Sequence, residues 1–173
     1  RRGIFVIDRG GDRRSLLIPL IDKKLRFVVR QTGARHIWLA DGTELPVDKA
    51  AARCKCSIKR EVKVEREGQP QTLTLHLGEM SIRLPEKPEV ALWLVVIRGF
   101  GEQPIMLLTN VGPKPGRQHA DWIAELYLTR WRIEETYRFL KSRRDTAYKP
   151  TTLRTSECEA TRPSATSMCS CRR

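Results

Sequence analysis

An α/β fold is predicted for this chain from three observations. Short apolar runs at residues 3–8 and 25–30 flank a stretch with helical periodicity. Apolar and polar residues alternate through much of the stretch from about 55 to 110, and a long helical pattern follows at 121–144. Apolar strands in strand-helix-strand order are typical of a mainly parallel sheet. We therefore expect an α/β domain that carries a β-rich insertion at about 55–110.

The first element is a strand at Gly3–Asp8, because an apolar run ends there at a turn sequence, Asp-Arg-Gly-Gly. We expect this strand to be buried. A helix is predicted from Asp12 to Lys24, whose apolar residues recur at helical spacing: Leu16, Leu17, Leu20 and Ile21. Pro19 lies inside this helix and predicts a kink. Leu25–Arg30 is the second predicted strand.

The β-rich segment is predicted to be antiparallel, with one apolar face and one solvated face. Leucines alternate with polar residues at Leu73, Leu75 and Leu77. Gly68-Gln69-Pro70 and Gly78 are turn signals that separate the strands. Two further apolar strands are predicted at Ala91–Ile97 and Ile105–Leu108.

The last helix is predicted to start at Asp121, which is a suitable N-cap residue, and to end near Arg144. Residues 145–173 contain little aliphatic material and many Ser, Thr, Arg and Cys residues. Such a segment buries too little apolar surface to offset its ordering entropy, so we expect it to be disordered.

The charge of the chain favours a polyanionic partner. It has 33 Lys and Arg residues against 20 Asp and Glu residues, a formal net charge of +13. Each contact with a phosphate releases counterions, so nucleic acid is the expected partner of such a protein. The alternative is a basic protein whose charge merely keeps it soluble. No apolar run approaches the roughly 20 residues that a membrane-spanning helix needs, so no membrane association is expected.

The five cysteines are expected to be reduced thiols. Their Cys-x-Cys pairs lack the spacer that is usual in zinc knuckles, but a zinc site remains an alternative, with these ligands: Cys54, Cys56, Cys169 and Cys171. The three histidines, His36, His76 and His119, are scattered and predict no site. Trp93 and Trp131 lie in apolar runs, which favours packing over base stacking.

The last helix carries a polar stripe. Its members are Tyr127, Arg130, Glu134 and Lys141, at intervals of 3, 4 and 7 residues. At roughly 100° per residue they fall within about 60° of the helix circumference. Apolar residues lie directly beside the stripe, at Leu126, Ile133, Tyr137 and Leu140, so Glu134 is predicted at the edge of the buried face. The alternative is a solvated charged face with an Arg130–Glu134 pair.

This stripe resembles the Tyr-Arg-Glu-Lys (YREK) signature of a branch of bacterial insertion-sequence DDE transposases. The pattern Tyr127-x2-Arg130-x3-Glu134-x6-Lys141 matches it without a gap, and Arg130-Trp131-Arg132-Ile133-Glu134-Glu135 is also similar to that helix. Upstream, Val6-Ile7-Asp8-Arg9-Gly10-Gly11-Asp12 resembles the strand end that carries the second catalytic aspartate. Leu107-Leu108-Thr109-Asn110 resembles the strand before the glutamate helix. The resemblance covers roughly residues 3–141.

The resemblance implies a ribonuclease-H-like catalytic core with a β-rich insertion, in which two Asp and one Glu hold two Mg²⁺ ions, or Mn²⁺ in their place. It implies metal-dependent cleavage and transfer of DNA strands at transposon ends by two-metal phosphoryl transfer. Asp8 and Glu134 are then the catalytic residues and metal ligands, with Asp12 as the rival of Asp8. Tyr127, Arg130 and Lys141 are then the residues that contact the DNA.

The implied partners are double-stranded DNA, as terminal repeats and target, and a second copy of the protein in the synaptic complex. The implied location is the bacterial cytoplasm, on the nucleoid when DNA is bound. The family's first aspartate belongs to an earlier strand, so we expect residues 1–144 to be part of a catalytic domain without a complete triad. Residues 145–173 are then a disordered or frameshifted tail.

Two other functions are alternatives. One is a catalytically dead basic DNA-binding remnant of a transposase. The other is an RNA-binding protein, which predicts aromatic residues exposed on a sheet. Phe27 and Trp93 lie in interior-looking runs and disfavour it.

Overall fold

The computed structural model of the chain describes residues 3–66 and 69–147. In this part of the chain the fold is mixed α/β, with one eight-stranded sheet, three α-helices and one short 3-10 helix. The chain divides into two compact units, Arg1–Tyr137 and Arg138–Arg173. The first unit contains the whole sheet. The described part of the second is the end of the last helix.

The strands are β1 (Ile4–Ile7), β2 (Arg26–Arg30), β3 (His36–Leu39), β4 (Glu44–Pro46), β5 (Ile58–Arg66), β6 (Gln69–Leu84), β7 (Lys87–Arg98) and β8 (Ile105–Thr109). The helices are α1 (Arg14–Asp22), α2 (Val47–Arg53) and α3 (His119–Ala147), and the 3-10 helix covers Arg9–Gly11.

The sheet has the strand order β1-β2-β8-β7-β6-β3-β4, and β5 pairs with β6 beside this path. The pairing of β1 with β2 is parallel, with Ile7 opposite Val29. Every other pairing among the described strands is antiparallel. The expectation of a mainly parallel sheet is therefore wrong. Within the described residues, only β1, α1 and β2 form a β-α-β crossover between paired parallel strands. Antiparallel pairing joins the consecutive strands β3–β4, β5–β6, β6–β7 and β7–β8, where the chain reverses.

The predicted strand-helix-strand unit at the start of the chain is confirmed. α1 contains Pro19 on its exposed side and buries Leu17, Leu20 and Ile21. The first strand is less buried than expected, since Phe5 is 50% exposed. Within the described residues β1 pairs only with β2, so it forms an edge of the sheet.

The antiparallel arrangement of the β-rich segment is also confirmed, but Gly78 is not a turn. It lies inside β6 and pairs with Val96 of β7. A Cβ atom at this position would lie 2.5 Å from the carbonyl oxygen of Lys55 and 2.9 Å from Sγ of Cys54. The glycine is therefore required by the close approach of another backbone segment.

The sheet has a hydrophobic core on each face. α1 and α2 cover one face, where they pack with Ile82 and Leu84 of β6. The first part of α3 covers the other face, where it packs with Leu75 and Leu77. Odd- and even-numbered residues of β6 thus point to opposite cores, as the two-residue period of a strand requires. Phe27 is fully buried, as expected.

Three short elements, β3, β4 and α2, were not predicted. β3 and β4 form a hairpin whose turn contains Gly42 at φ 81°. The Asp41 side chain accepts a hydrogen bond from the Thr43 backbone N–H at 2.9 Å in this turn. α2 follows β4 directly and buries Val47, Ala50 and Ala51.

The long helix α3 is confirmed, but its start differs from the prediction. It begins at His119, and Asp121 lies in its first turn rather than at the N-cap. The Asp121 carboxylate instead accepts a hydrogen bond from Arg60 of β5 at 2.7 Å. α3 continues to Ala147, and the rest of the predicted disordered tail lies outside the described residues.

The apolar stripe of α3 is not its buried face over its whole length. The helix packs on the sheet through Ala120, Ile123, Ala124 and Tyr127. Farther along, Ile133, Tyr137 and Leu140 are 53%, 63% and 53% exposed. The expectation that these three side chains are buried is wrong. In the described part of the chain, no helix combines the length and the apolar character that crossing a membrane requires.

Candidate active site at the end of the parallel strands

Asp8 directly follows β1, as predicted. Its backbone is extended, with φ −75° and ψ −179°. Its carboxylate Oδ1 accepts a hydrogen bond from the Arg9 backbone N–H at 2.6 Å and so caps the 3-10 helix. Asp8 is half-buried, and the described residues provide no salt bridge to it. One carboxylate oxygen is therefore available for a further ligand.

The alternation of β1 sets the direction of Asp8. Ile4 and Val6 pack against the core beneath α3, whereas Ile7 packs against the opposite core. Because the extended backbone continues through position 8, Asp8 falls on the same face as Ile4 and Val6. It is thus at the carboxyl end of β1, on the side of the sheet that α3 covers.

Arg30 occupies the corresponding position on the neighbouring strand. Ile7 pairs with Val29 in parallel register, so Asp8 and Arg30 are the next residues along the two strands. Arg30 Nη1 donates a hydrogen bond to the hydroxyl of Tyr127 at 3.2 Å. The guanidinium carbon also lies 6.0 Å from the centre of the Tyr127 ring. This contact joins α3 to the carboxyl end of β2.

The residues of the predicted DNA-contact stripe have different environments. Tyr127 is only 4% exposed and belongs to the core beneath α3. Its contact with DNA stays a prediction, and its contact in the structure is with Arg30. Arg130 is half-buried and makes a contact of its own, and Lys141 is exposed.

Glu134 lies in α3, but its side chain lies outside the described detail. On an α-helix a residue seven positions after Tyr127 lies roughly 10 Å farther along the axis and about 20° around it. Position 134 is thus on nearly the same side of the helix as Tyr127. The predicted convergence of the Asp8 and Glu134 carboxylates remains untested.

Asp12, the rival of Asp8, has a fully occupied carboxylate. Its side chain is 2% exposed. Oδ2 accepts hydrogen bonds from the N–H and the hydroxyl of Thr32, both at 2.8 Å. Oδ1 lies 2.9 Å from Arg35 Nε and 2.8 Å from Arg35 Nη2. These bonds tie the segment after β1 to the segment after β2, so Asp12 is a structural residue.

In the described part of the chain, no group of three or more His, Cys, Asp or Glu residues is arranged to hold a metal ion. Cys54 and Cys56 are both free thiols. Burial raises the pKa of the Cys54 thiol to about 11, and the neighbouring Cys56 adds to this effect. Cys169 and Cys171 lie outside the described residues, which leaves the zinc alternative untested.

His119 is a structural residue that the sequence did not reveal. Its ring is buried at the start of α3, with Nδ1 2.5 Å from Glu79 Oε2 and Nε2 2.6 Å from the carbonyl oxygen of Val111. Trp93 packs against it edge-on, with ring centres 5.9 Å apart, in agreement with its expected packing role. In the sequence, only the position of His119 just before the predicted helix hints at this structural role.

Comparison of the sequence with known protein families found no matching family model, and comparison with characterised proteins found no match. The transposase resemblance therefore depends on the motifs in the sequence.

Proposed function

We propose that this chain is part of a DDE transposase with a ribonuclease-H-like core, which cleaves and transfers DNA strands at transposon ends. The observation that carries the proposal is the hydrogen bond between Arg30 and Tyr127. It connects the helix with the YREK pattern to the strand beside Asp8, from a distance of 97 residues in the sequence. Tyr127, the first residue of the YREK pattern, thus packs on the face of the sheet towards which the alternation of β1 directs Asp8.

The fold is compatible with this function. Helices cover both faces of the sheet, and the parallel strands β1 and β2 end at Ile7, just before Asp8, and at Arg30. Within the described residues the outer edge of β1 is unpaired. A strand carrying the first catalytic aspartate would pair with that edge and bring its own carboxylate beside Asp8.

Asp8 meets the chemical requirements of a magnesium ligand. Mg²⁺ prefers hard carboxylate oxygens, and the half-buried Asp8 has an oxygen that no described residue engages. Asp8 and Glu134 would hold the ions together with the first aspartate. When bound, the ions supply activation of the attacking hydroxyl and stabilisation of the leaving oxygen.

The partner in this proposal is double-stranded DNA. The net charge of +13 supplies attraction to phosphates that does not depend on base sequence. Arg130 and Lys141 would contact the backbone near the cut, and Arg30 lies beside Asp8, where the scissile phosphate would lie. A second copy of the protein would complete the synaptic complex, in the bacterial cytoplasm.

The test is cleavage of a labelled transposon-end duplex by the chain after fusion to an upstream-encoded segment that carries the first aspartate. We expect nicking that requires Mg²⁺ or Mn²⁺. Asp8→Asn and Glu134→Gln should each abolish nicking without loss of DNA binding, whereas the matched control Glu135→Gln should cut at the parent rate. Equal cutting by Glu134→Gln and the parent protein would refute the assignment of Glu134.

The alternative of a DNA-binding remnant gives a different result in the same assay. It predicts binding that weakens steeply between two salt concentrations, with no cutting by the fused protein in either metal.

A further inference from the structure

A cavity of about 570 Å³ lies where β2 ends and β8 begins. Four basic side chains line it, Arg9, Arg30, Lys49 and Arg98, together with the acidic Asp48. The Asp48 carboxylate accepts a hydrogen bond from the Lys49 backbone N–H at 2.7 Å and offsets one of the four positive charges, so the lining keeps an excess of cationic groups. The excess of cations in a concave surface focuses a positive potential that attracts an anion.

Two of the cations are held in place by the fold. Arg30 donates to Tyr127, and Arg98 Nη2 donates to the carbonyl oxygens of Ala51 and Ala52 at 2.8 and 3.3 Å. Each guanidinium has five N–H donors, so both retain donors for an anion after these bonds. Arg9 and Lys49 are exposed and have no salt bridge with any described residue.

The other residues that line the cavity suit a ligand with an apolar part as well as a phosphate. It includes the apolar side chains of Pro104 and Met106 and the amide of Gln31. Gln31 is only 2% exposed, and its Nε2 donates to the carbonyl oxygen of Val29 at 3.3 Å. Its Oε1 has no hydrogen-bond partner among the described residues. Because this hydrogen bond from Nε2 is long, the side-chain amide can rotate and present Oε1 to an N–H donor in the cavity.

We propose that this cavity binds one nucleotide unit, with its phosphate on the four basic side chains. The base would pack on Pro104 and Met106 and donate an N–H to Gln31 Oε1. The cavity is larger than a phosphate ion needs, and the apolar wall and the amide acceptor suit a base. Both a free nucleoside monophosphate and the phosphorylated end of a DNA strand have this chemistry. Only the choice of a DNA end as the source rests on the proposed transposase function.

The test is a calorimetric titration of the full chain with 2′-deoxyadenosine 5′-monophosphate, which measures the binding affinity. The double variant Arg9→Ala/Lys49→Ala should bind at least about tenfold more weakly, since it removes two phosphate contacts. The control Lys59→Ala/Lys63→Ala removes the same charge from exposed positions of β5 and should change affinity less than about twofold. Thermal unfolding of each variant checks that the fold is retained.

A third variant tests the base contact. Gln31→Met keeps a side chain of similar size and removes the amide. The affinity of this variant for the nucleotide should therefore fall towards the affinity of the parent protein for 2-deoxyribose 5-phosphate, which lacks the base. Inorganic phosphate and deoxyadenosine should each bind more weakly than the nucleotide. An equal loss in the two double variants would overturn the proposal, and so would phosphate binding as tight as that of the nucleotide.

The source of the nucleotide is decided by competition. A 5′-phosphorylated single-stranded oligonucleotide displaces the mononucleotide if the site takes a strand end, and leaves it bound if the site takes free nucleotides. The titration needs neither metal nor cleavage. Nucleotide binding without cleavage by the fused protein would defeat the transposase proposal alone, and cleavage without nucleotide binding would defeat this inference alone.

Discussion

Arg30 and Tyr127, 97 residues apart in the sequence, are joined by a hydrogen bond of 3.2 Å at the carboxyl end of β2. Tyr127 is the first residue of the YREK pattern, and Arg30 is the neighbour of Asp8 across the parallel strands. The Tyr127 hydroxyl therefore links α3 to the end of β2, beside Asp8. Farther along α3, Ile133, Tyr137 and Leu140 are exposed.

Tyr127→Phe should lower the free energy of unfolding by about 1 kcal/mol, the usual net value of one hydrogen bond. Tyr127→Ala should cost about 3–5 kcal/mol, because it also removes a buried aromatic ring. Urea denaturation measures both. The control is Tyr137→Phe on the same helix, where the side chain is 63% exposed and the change should be within about 0.5 kcal/mol. Equal effects of the two Phe variants would show that the Arg30 contact does not stabilise α3.

Asp8 and Asp12 should differ in their effect on stability. Asp12→Asn breaks a buried ion pair with Arg35 and should cost about 3 kcal/mol. Asp8→Asn retains an oxygen that can cap the 3-10 helix, so the change in unfolding free energy should be below about 0.5 kcal/mol. Chemical denaturation of the two variants compares them directly. A larger loss at Asp8 than at Asp12 would reverse the roles given to the two carboxylates.

Gly78→Ala should be destabilising by about 1–3 kcal/mol, because the added methyl group would overlap the backbone oxygen of Lys55. Gly101→Ala is the matched control, since no atom lies within 4 Å of its added Cβ. Thermal unfolding distinguishes the two. If both variants unfold at the parent temperature, the segment at Cys54 and Lys55 does not pack on β6 as described.

The Cys54 thiol should react slowly with iodoacetamide near neutral pH, because burial raises its pKa to about 11 from the ordinary 9.0. Its labelling should accelerate only as the pH rises towards 11. Unfolding in urea should make the labelling near neutral pH as fast as that of an exposed thiol. For an acid whose pKa is raised in the folded state, the contribution to stability is complete below pH 9 and is lost between pH 9 and 11. Peptide mass spectrometry reports each cysteine separately. Rapid labelling of native Cys54 at pH 7.5 would contradict its burial.

The sequence predicted the elements with strong local patterns. β1, α1, β2 and β8 have continuous apolar runs or a clear helical period, and their positions agree with the structure within a few residues. β3, β4 and α2 have four, three and seven residues, too few to establish a period. Gly78 shows a different limit, since a glycine in a strand and a glycine in a turn look alike in a sequence.

The candidate site was predictable only in part. The place of Asp8 follows from the end of an apolar run, but the choice between Asp8 and Asp12 depends on contacts with Thr32 and Arg35, which local patterns do not reveal. The environment of Tyr127 was likewise not predictable from local patterns. Helical spacing puts it in a polar stripe, whereas its ring is buried and only its hydroxyl meets Arg30.

Under the proposed function, Asp8 and Glu134 converge on one metal site, and nuclear magnetic resonance of the full chain with Mn²⁺ tests this most directly. Mn²⁺ occupies the oxygen ligands that suit Mg²⁺, and it broadens the signals of nearby nuclei. We predict that the backbone amides around positions 8 and 134 broaden together at the same Mn²⁺ concentration. Asp8→Asn and Glu134→Gln should each remove both effects, whereas Glu135→Gln should leave them unchanged. Broadening at only one of the two positions, or at neither, would contradict the claim.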